Sequence, residues 1–271
     1  MGTGGAADRN TAVGYASLNA LTTGNDNVAV GAEAADGITT GFGNVAVGQA
    51  ALRAGNGGES RNVAVGYGAL ATLNSDTDNY NTAVGYASGN MMTSGHSNTL
   101  IGGLSGDAIT TGTGSVAIGK GSLSVNQEGV NNIAIGLDSM GSVKSNEAVT
   151  GCIAIGKDAL KGSNSTTISA NYTIAIGLDA LEVLTTGSRN VAMGYTAAKA
   201  LTIGDDNLAI GYAAMTALAG EDVSDKNIAI GNYAMDGVSG LAATQNIFIG
   251  YDSGGGSWTG TLSEQNVAVG N

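Results

Sequence analysis

The phrase Asn-Val-Ala-Val-Gly stands at residues 27–31 in "DNVAVGAEAA", at 44–48 in "GNVAVGQAAL", at 62–66 in "RNVAVGYGAL" and at 266–270 in "QNVAVGN". Its recurrence along the chain decides the fold. Registered on its last residue, the phrase returns at Gly14, Gly31, Gly48, Gly66, Gly85, Gly102, Gly119, Gly136, Gly156, Gly177, Gly194, Gly211, Gly231, Gly250 and Gly270. Seven of the fourteen intervals are 17 residues and the rest run from 18 to 21. A period in this range marks an array of short coils, none able to bury its own apolar face, each completed by its neighbours.

The columns of the repeat predict a strand. Val, Ile or Met precedes the glycine in every copy, and Val, Ile, Leu or Thr stands two residues before that. Ala lies between them, except at Leu100 and Phe248. Four before the glycine stands Asn, at Asn10, Asn27, Asn44, Asn62, Asn81, Asn98, Asn132, Asn190, Asn207, Asn227, Asn246 and Asn266, with Ser115, Cys152 and Thr173 as the exceptions. This alternation has period two. One face is β-branched and large; the other carries Asn, Ala and Gly. The expectation is that the Val/Ile columns stack into a ribbon of core, with coils about 4.8 Å apart. The Asn column is expected to run as a ladder of amides bonded along the stack, as in parallel in-register assemblies. The Ala, Gly and Ser columns then become the place where a second, identical chain approaches.

After the glycine, stretches such as "GYASLNALTTGNDN" place apolar residues four and seven positions on (Leu18 and Leu21, Leu181 and Leu184). That spacing of three predicts a short helical or 3₁₀ turn. "TTG" or a relative, seven residues before the next closing glycine, reads as the return turn. Extra residues fall between the two, as in "NSDTDNY" and "KGSNSTTISANY", where surface loops of a coil array accept insertions. The resulting fold class is all-β: a parallel β-solenoid of about fifteen coils of 17–21 residues. The whole of 1–271 reads as a single repeat array, from Gly14 to Gly270, and as a piece of a longer fibre.

Composition narrows the function. The chain has 46 glycines in 271 residues, no proline and a net charge of −12. Glycine is far above its ordinary share of about 7%, yet 42% of residues are hydrophobic, too many for disorder. Ten Lys and Arg argue against a nucleic-acid partner. A lone cysteine excludes an internal disulfide. No apolar run is long enough for a membrane-spanning helix.

The phrase N-x-A-[VI]-G-x-x-[AS] resembles the head repeat of YadA-type trimeric autotransporter adhesins, most closely in "GSVAIGKGSLS" (114–124) and "NNIAIGLDSM" (131–140). The longer G-Y-x-A-L-x-x-L-T-T-G form is similar to repeats in phage tail fibres. The resemblance covers essentially the whole chain. It implies a left-handed parallel β-roll, a homotrimer, and a shaft or adhesive role outside the cell, on a virion tail fibre or a bacterial surface. A receptor, polysaccharide or matrix ligand is the implied partner.

Catalytic chemistry finds little purchase. His96 and Cys152 occupy unrelated repeats, with Cys152 in the Asn column and His96 at an exposed corner. No nucleophile elbow, phosphate loop or metal-spaced His/Cys set is present. The expectation is no enzyme and no cofactor. Two alternatives remain: a fibre that cuts polysaccharide, which needs only two carboxylates, and an ice-binding solenoid. Asp138, Asp158 and Asp179 share the column two after the glycine in successive coils, as does Asp252. Stacked like charges must be solvated, paired or bridged by a cation, which makes this column the candidate metal site. Tyr15, Tyr67, Tyr86, Tyr195, Tyr212 and Tyr251 follow the glycine, and Trp258 lies in "GYDSGGGSWTG"; these are the candidate ligand contacts.

Overall fold

Every closing glycine is preceded by a strand of three residues. In the computed structural model the described residues are 7–53, 57–142, 149–162, 170–218, 224–237, 243–256 and 263–271. The chain divides into two compact units, Met1–Asn131 and Asn132–Asn271. In the first, β1 (Thr11–Val13), β2 (Val28–Val30), β3 (Val45–Val47), β4 (Val63–Val65), β5 (Thr82–Val84), β6 (Thr99–Ile101) and β7 (Val116–Ile118) pair in sequence order. All pairs are parallel and in register, so that Ala12 faces Ala29 and Ala29 faces Ala46.

The second unit repeats the arrangement. It contains β8 (Ile133–Ile135), β9 (Ile153–Ile155), β10 (Ile174–Ile176), β11 (Val191–Met193), β12 (Leu208–Ile210), β13 (Ile228–Ile230), β14 (Ala243–Thr244), β15 (Ile247–Ile249), β16 (Ser263–Glu264) and β17 (Val267–Val269). β8 to β13, β15 and β17 form one parallel sheet, and β14 pairs with β16 in a small second one. Each unit is a parallel β-solenoid in which one coil is one rung, and no helix occurs among the described residues. Backbone bonds run between rungs: Val28 N–H donates to Asn44 O and Gly31 N–H to Val13 O, both at 2.8 Å.

The closing glycine cannot be replaced by another residue without strain. Gly48 sits at φ +131°, and a Cβ there would stand 2.6 Å from Gly66 O on the next rung. Only a residue without a side chain reaches that conformation and lets two backbones come this close.

Two expectations are corrected. First, the strand faces are reversed. Ala29, Ala64, Ala134 and Ala209 are buried together with the Asn column, while the Val and Ile on either side are half-buried or exposed. The interior of a coil is narrow, and the side chains that cross it come from the turn segment: Leu52, Leu70, Leu73, Leu160 and Leu181 are fully buried. Opposite them only Ala, Asn and Ser fit at the close packing of a protein interior. The small-residue columns are therefore the inside of the coil and not a contact for another chain.

Second, the apolar turn is not helical. Ala16 and Leu18 have φ of 53° and 51°, and the same two positions are left-handed in coil after coil. A right-handed helix needs negative φ throughout. The spacing of three is real, and Leu21 N–H does donate to Leu18 O at 3.2 Å, but Leu18 N–H itself donates to Ala34 O on the next rung. The segment is a run of tight turns stitched to its neighbours.

The two exceptions to the inward Ala explain themselves. Leu100 enters the core where the position four after the glycine is Gly89 or Gly106; a Cβ on either would stand 2.8 Å from a Leu100 methyl. Phe248 does the same against Gly254. A large residue on the strand stands where the turn offers glycine.

Candidate functional site

The Asn column folds inward and forms the predicted ladder. Asn27 Oδ1 accepts from the backbone N–H and from Nδ2 of Asn44, each at 3.0 Å. Asn27 Nδ2 also donates to Gly41 O at 2.8 Å, on the return corner of the next rung. The pattern repeats through Asn44, Asn62, Asn81 and Asn98, and in the second unit from Asn190 through Asn207, Asn227 and Asn246 to Asn266. Asn132 Oδ1 accepts from Cys152 N–H. Buried amides persist only when bonded, and here most tie their strand to a return corner as well as to the next Asn. The ladder is structural.

Cys152 is a substitute within it. Its thiol donates to Ala170 O at 2.8 Å, and burial pushes its pKa up to about 11. A thiol held protonated in this way is a poor nucleophile. His96 lies exposed at the far corner, as its sequence position suggested.

Two members of the acidic column, Asp158 and Asp179, are paired with lysines. Asp158 receives Lys157 at 2.9 Å and Lys161 at 2.8 Å, and Asp179 receives Lys199 at 2.8 Å. Burial alone would raise the pKa of Asp158, but the hydrogen bonds and charges of Lys161 and Lys157 outweigh it and hold the pKa below the ordinary carboxylate value. Lys199 also reaches Glu182 at 2.9 Å, and bonds to Asp179 and Glu182 raise its pKa. The hydrogen bond to Asp158 raises the pKa of both Lys157 and Lys161, and the charge of Asp138, in the same column, adds to it. No three His, Cys, Asp or Glu side chains converge as metal ligands among the described residues.

The outer surface of the strands is the feature that sequence periodicity assigned to the core. Val28 and Val30 are 37% and 36% exposed, and Ile101, Ile155, Met193 and Ile249 resemble them. Two β-branched columns thus run up the outside of each unit, with the residue after the glycine beside them. That third column holds the candidate tyrosines. Tyr67 and Tyr86 stack at 5.6 Å between ring centroids, and Tyr195 and Tyr212 at 5.1 Å. Tyr233, one position further along its coil, continues the second stack edge-on to Tyr212 and Tyr251. Each stacked ring has one face covered by its neighbour, and all four tyrosines remain exposed. Tyr15 stands alone, and Trp258 lies outside the described residues.

Two further groups carried no sequence signal. Arg61 stacks on Phe42 at 4.6 Å and near Tyr80 while pairing with Asp78, on the exposed return corner. Glu59 replaces the glycine of "TTG" and turns its carboxyl inward, accepting Ser75 N–H at 2.9 Å through Oε1; Oε2 is buried with no hydrogen-bond partner. Burial, reinforced by Asp76, raises its pKa over the opposing backbone hydrogen bonds. It anchors the 74–80 insertion.

Compared with protein-family models, curated proteins and solved structures, the chain matches none. No helix among the described residues is long and apolar enough to cross a membrane.

Proposed function

We propose that this chain is a stretch of an extracellular fibre, structural and adhesive, mounted on a virion tail or a bacterial surface, in which identical chains associate along their outward Val/Ile columns. One observation carries the reading: the long apolar ribbon faces out, on strands whose inward face is already filled by Ala and Asn. Contiguous apolar columns on a soluble surface mark contacts. A second copy offers the same columns at the same spacing. The resemblance to YadA-type heads supplies the number of chains, three. Within such a bundle the strands are central, while the return corners and insertions face outward. Repeated corners bind surfaces through many weak contacts acting together. A non-enzymatic role accords with a buried, protonated Cys152 and lysine-paired aspartates.

The mass of the assembly tests the proposal. Sedimentation or light scattering is expected to give three times the chain mass. A well-folded monomer at micromolar concentration would overturn the association and the fibre with it.

A further inference from the structure

The fold can accept no disulfide, because its one cysteine, Cys152, is buried and single. It does place tyrosines on successive rungs with their rings in contact. We propose that the stacked pairs Tyr195–Tyr212 and Tyr67–Tyr86 are sites of oxidative cross-linking, joined into dityrosine by hydrogen peroxide and a haem peroxidase. The cross-link would staple neighbouring coils covalently.

The geometry supports the assignment in three ways. The rings are nearly parallel, at 14° and 12°, with centroids 5.1 and 5.6 Å apart. Their backbones are locked rung to rung, since Ala213 N–H donates to Tyr195 O at 2.9 Å and Ala87 N–H to Tyr67 O at 2.8 Å. Holding two reactants side by side turns a bimolecular radical coupling into an intramolecular one. And all four tyrosines are exposed, at 44–60%, so that an oxidant reaches them.

The chemistry balances. Each phenol gives up one electron and one proton to become a phenoxyl radical. The two radicals form a carbon–carbon bond between ring positions ortho to oxygen. Each coupled carbon then passes its hydrogen to its oxygen, which restores both phenols. Hydrogen peroxide takes up the two electrons and two protons and leaves as two waters.

The molecule contains its own controls. Tyr15 and Tyr172 are more exposed than any stacked tyrosine, at 80% and 65%. Their column neighbours on the next rung are Ala32 and Arg189, so neither has a ring to couple with. If accessibility governed the reaction, these two would react first; if stacking governs it, the pairs would.

The test is oxidation of the full chain by horseradish peroxidase and hydrogen peroxide at low protein concentration, followed by dityrosine fluorescence and peptide mapping by mass spectrometry. The expected products are Tyr195–Tyr212 and Tyr67–Tyr86 cross-links within one chain, formed before Tyr15 or Tyr172 appears in any product. Tyr212→Phe is expected to lose the first cross-link and keep the second, which also reports that the variant is folded. Cross-links only between chains, products led by Tyr15 or Tyr172, or no dityrosine would each overturn the proposal. It stands apart from the fibre reading, because a monomer by mass still forms both cross-links.

Discussion

Inside a coil, the residue at the centre of the strand is Ala where Leu, Met or Ala stands four after the glycine, and also at Ala83, whose Gly89 faces Leu100 of the next rung; it grows to Leu100 or Phe248 where that position is Gly106 or Gly254. On the outside of the same strands Thr11, Val28, Ile133 and Leu208 replace one another in one column, and Val30, Ile135 and Met193 in the other, with no compensating change. One face is constrained by volume and hydrogen bonds, the other only by being apolar or β-branched. The difference separates a filled core from an exposed apolar surface.

The sharpest way to break the inward rule is Leu100→Ala. It removes a fully buried side chain against two glycines, and a cost of about 2–5 kcal/mol is expected in denaturant unfolding. Adding Gly106→Leu should restore most of it. Gly106 has φ +57°, and Leu18, Leu52 and Leu70 already occupy the equivalent position at φ of 51°, 52° and 49°. A double variant no better than the single one would remove the volume exchange as an explanation.

Next in size is the ladder. Asn207 Nδ2 donates to Asn190 Oδ1 and Ser224 O, and its Oδ1 accepts from the backbone N–H and Nδ2 of Asn227. Asn207→Ala removes all four bonds and leaves the buried Asn227 N–H unmatched, for an expected loss of about 2–4 kcal/mol. The natural rung at Thr173 shows what a weaker substitute gives: its hydroxyl accepts from Asn190 N–H at 3.4 Å, against 3.0 Å in the Asn rungs.

Much of this was legible in the sequence. The period, the parallel register, the ladder and the burial of Cys152 all follow from which residue types share a column. The facing of the strand did not, because alternation yields two faces and does not say which is inside. Hydrophobicity favoured Val and Ile as core, and the clue against it was constancy of size. Ala scarcely varies because a wall stands opposite it, whereas Val, Ile, Met and Leu vary because nothing yet does. The turn misled for another reason: apolar spacing records where side chains point, while the left-handed φ at Ala16 and Leu18 leaves no mark on hydrophobicity. Glu59 was invisible because its inward turn depends on the 74–80 insertion.

Glu59 gives a smaller, pH-dependent test of the inner rule that buried polar atoms must be matched. Its folded pKa lies above the reference value of 4.5. Below pH 4.5 both folded and unfolded chains hold the proton and the burial carries no charge penalty. As pH rises through 4.5 and then through the raised folded value, the unfolded state ionises more readily and stability is lost. Glu59→Gln keeps an acceptor for Ser75 N–H and cannot ionise. Its melting temperature is therefore expected to match the parent near pH 4 and exceed it at pH 7–8. A difference that is constant with pH would mean that Glu59 ionises as readily in the fold as in the unfolded chain.

The smallest expected effect on the folded chain is also the most informative about the outside. Val28 and Val45 are cross-strand partners on the outward face. Threonine already occupies this column at Thr11, Thr82 and Thr99, so Val28→Thr with Val45→Thr should fit without strain. Exposed substitutions of this kind change unfolding free energy by less than about 0.5 kcal/mol. The same pair places two hydroxyls in the middle of an apolar contact, where each costs about 1–3 kcal/mol if unmatched. Chain stability should thus stay level in a dilute unfolding experiment while the assembly mass falls. Loss of both together would put the Val columns in the core after all; loss of neither would leave the ribbon without a partner of its own kind.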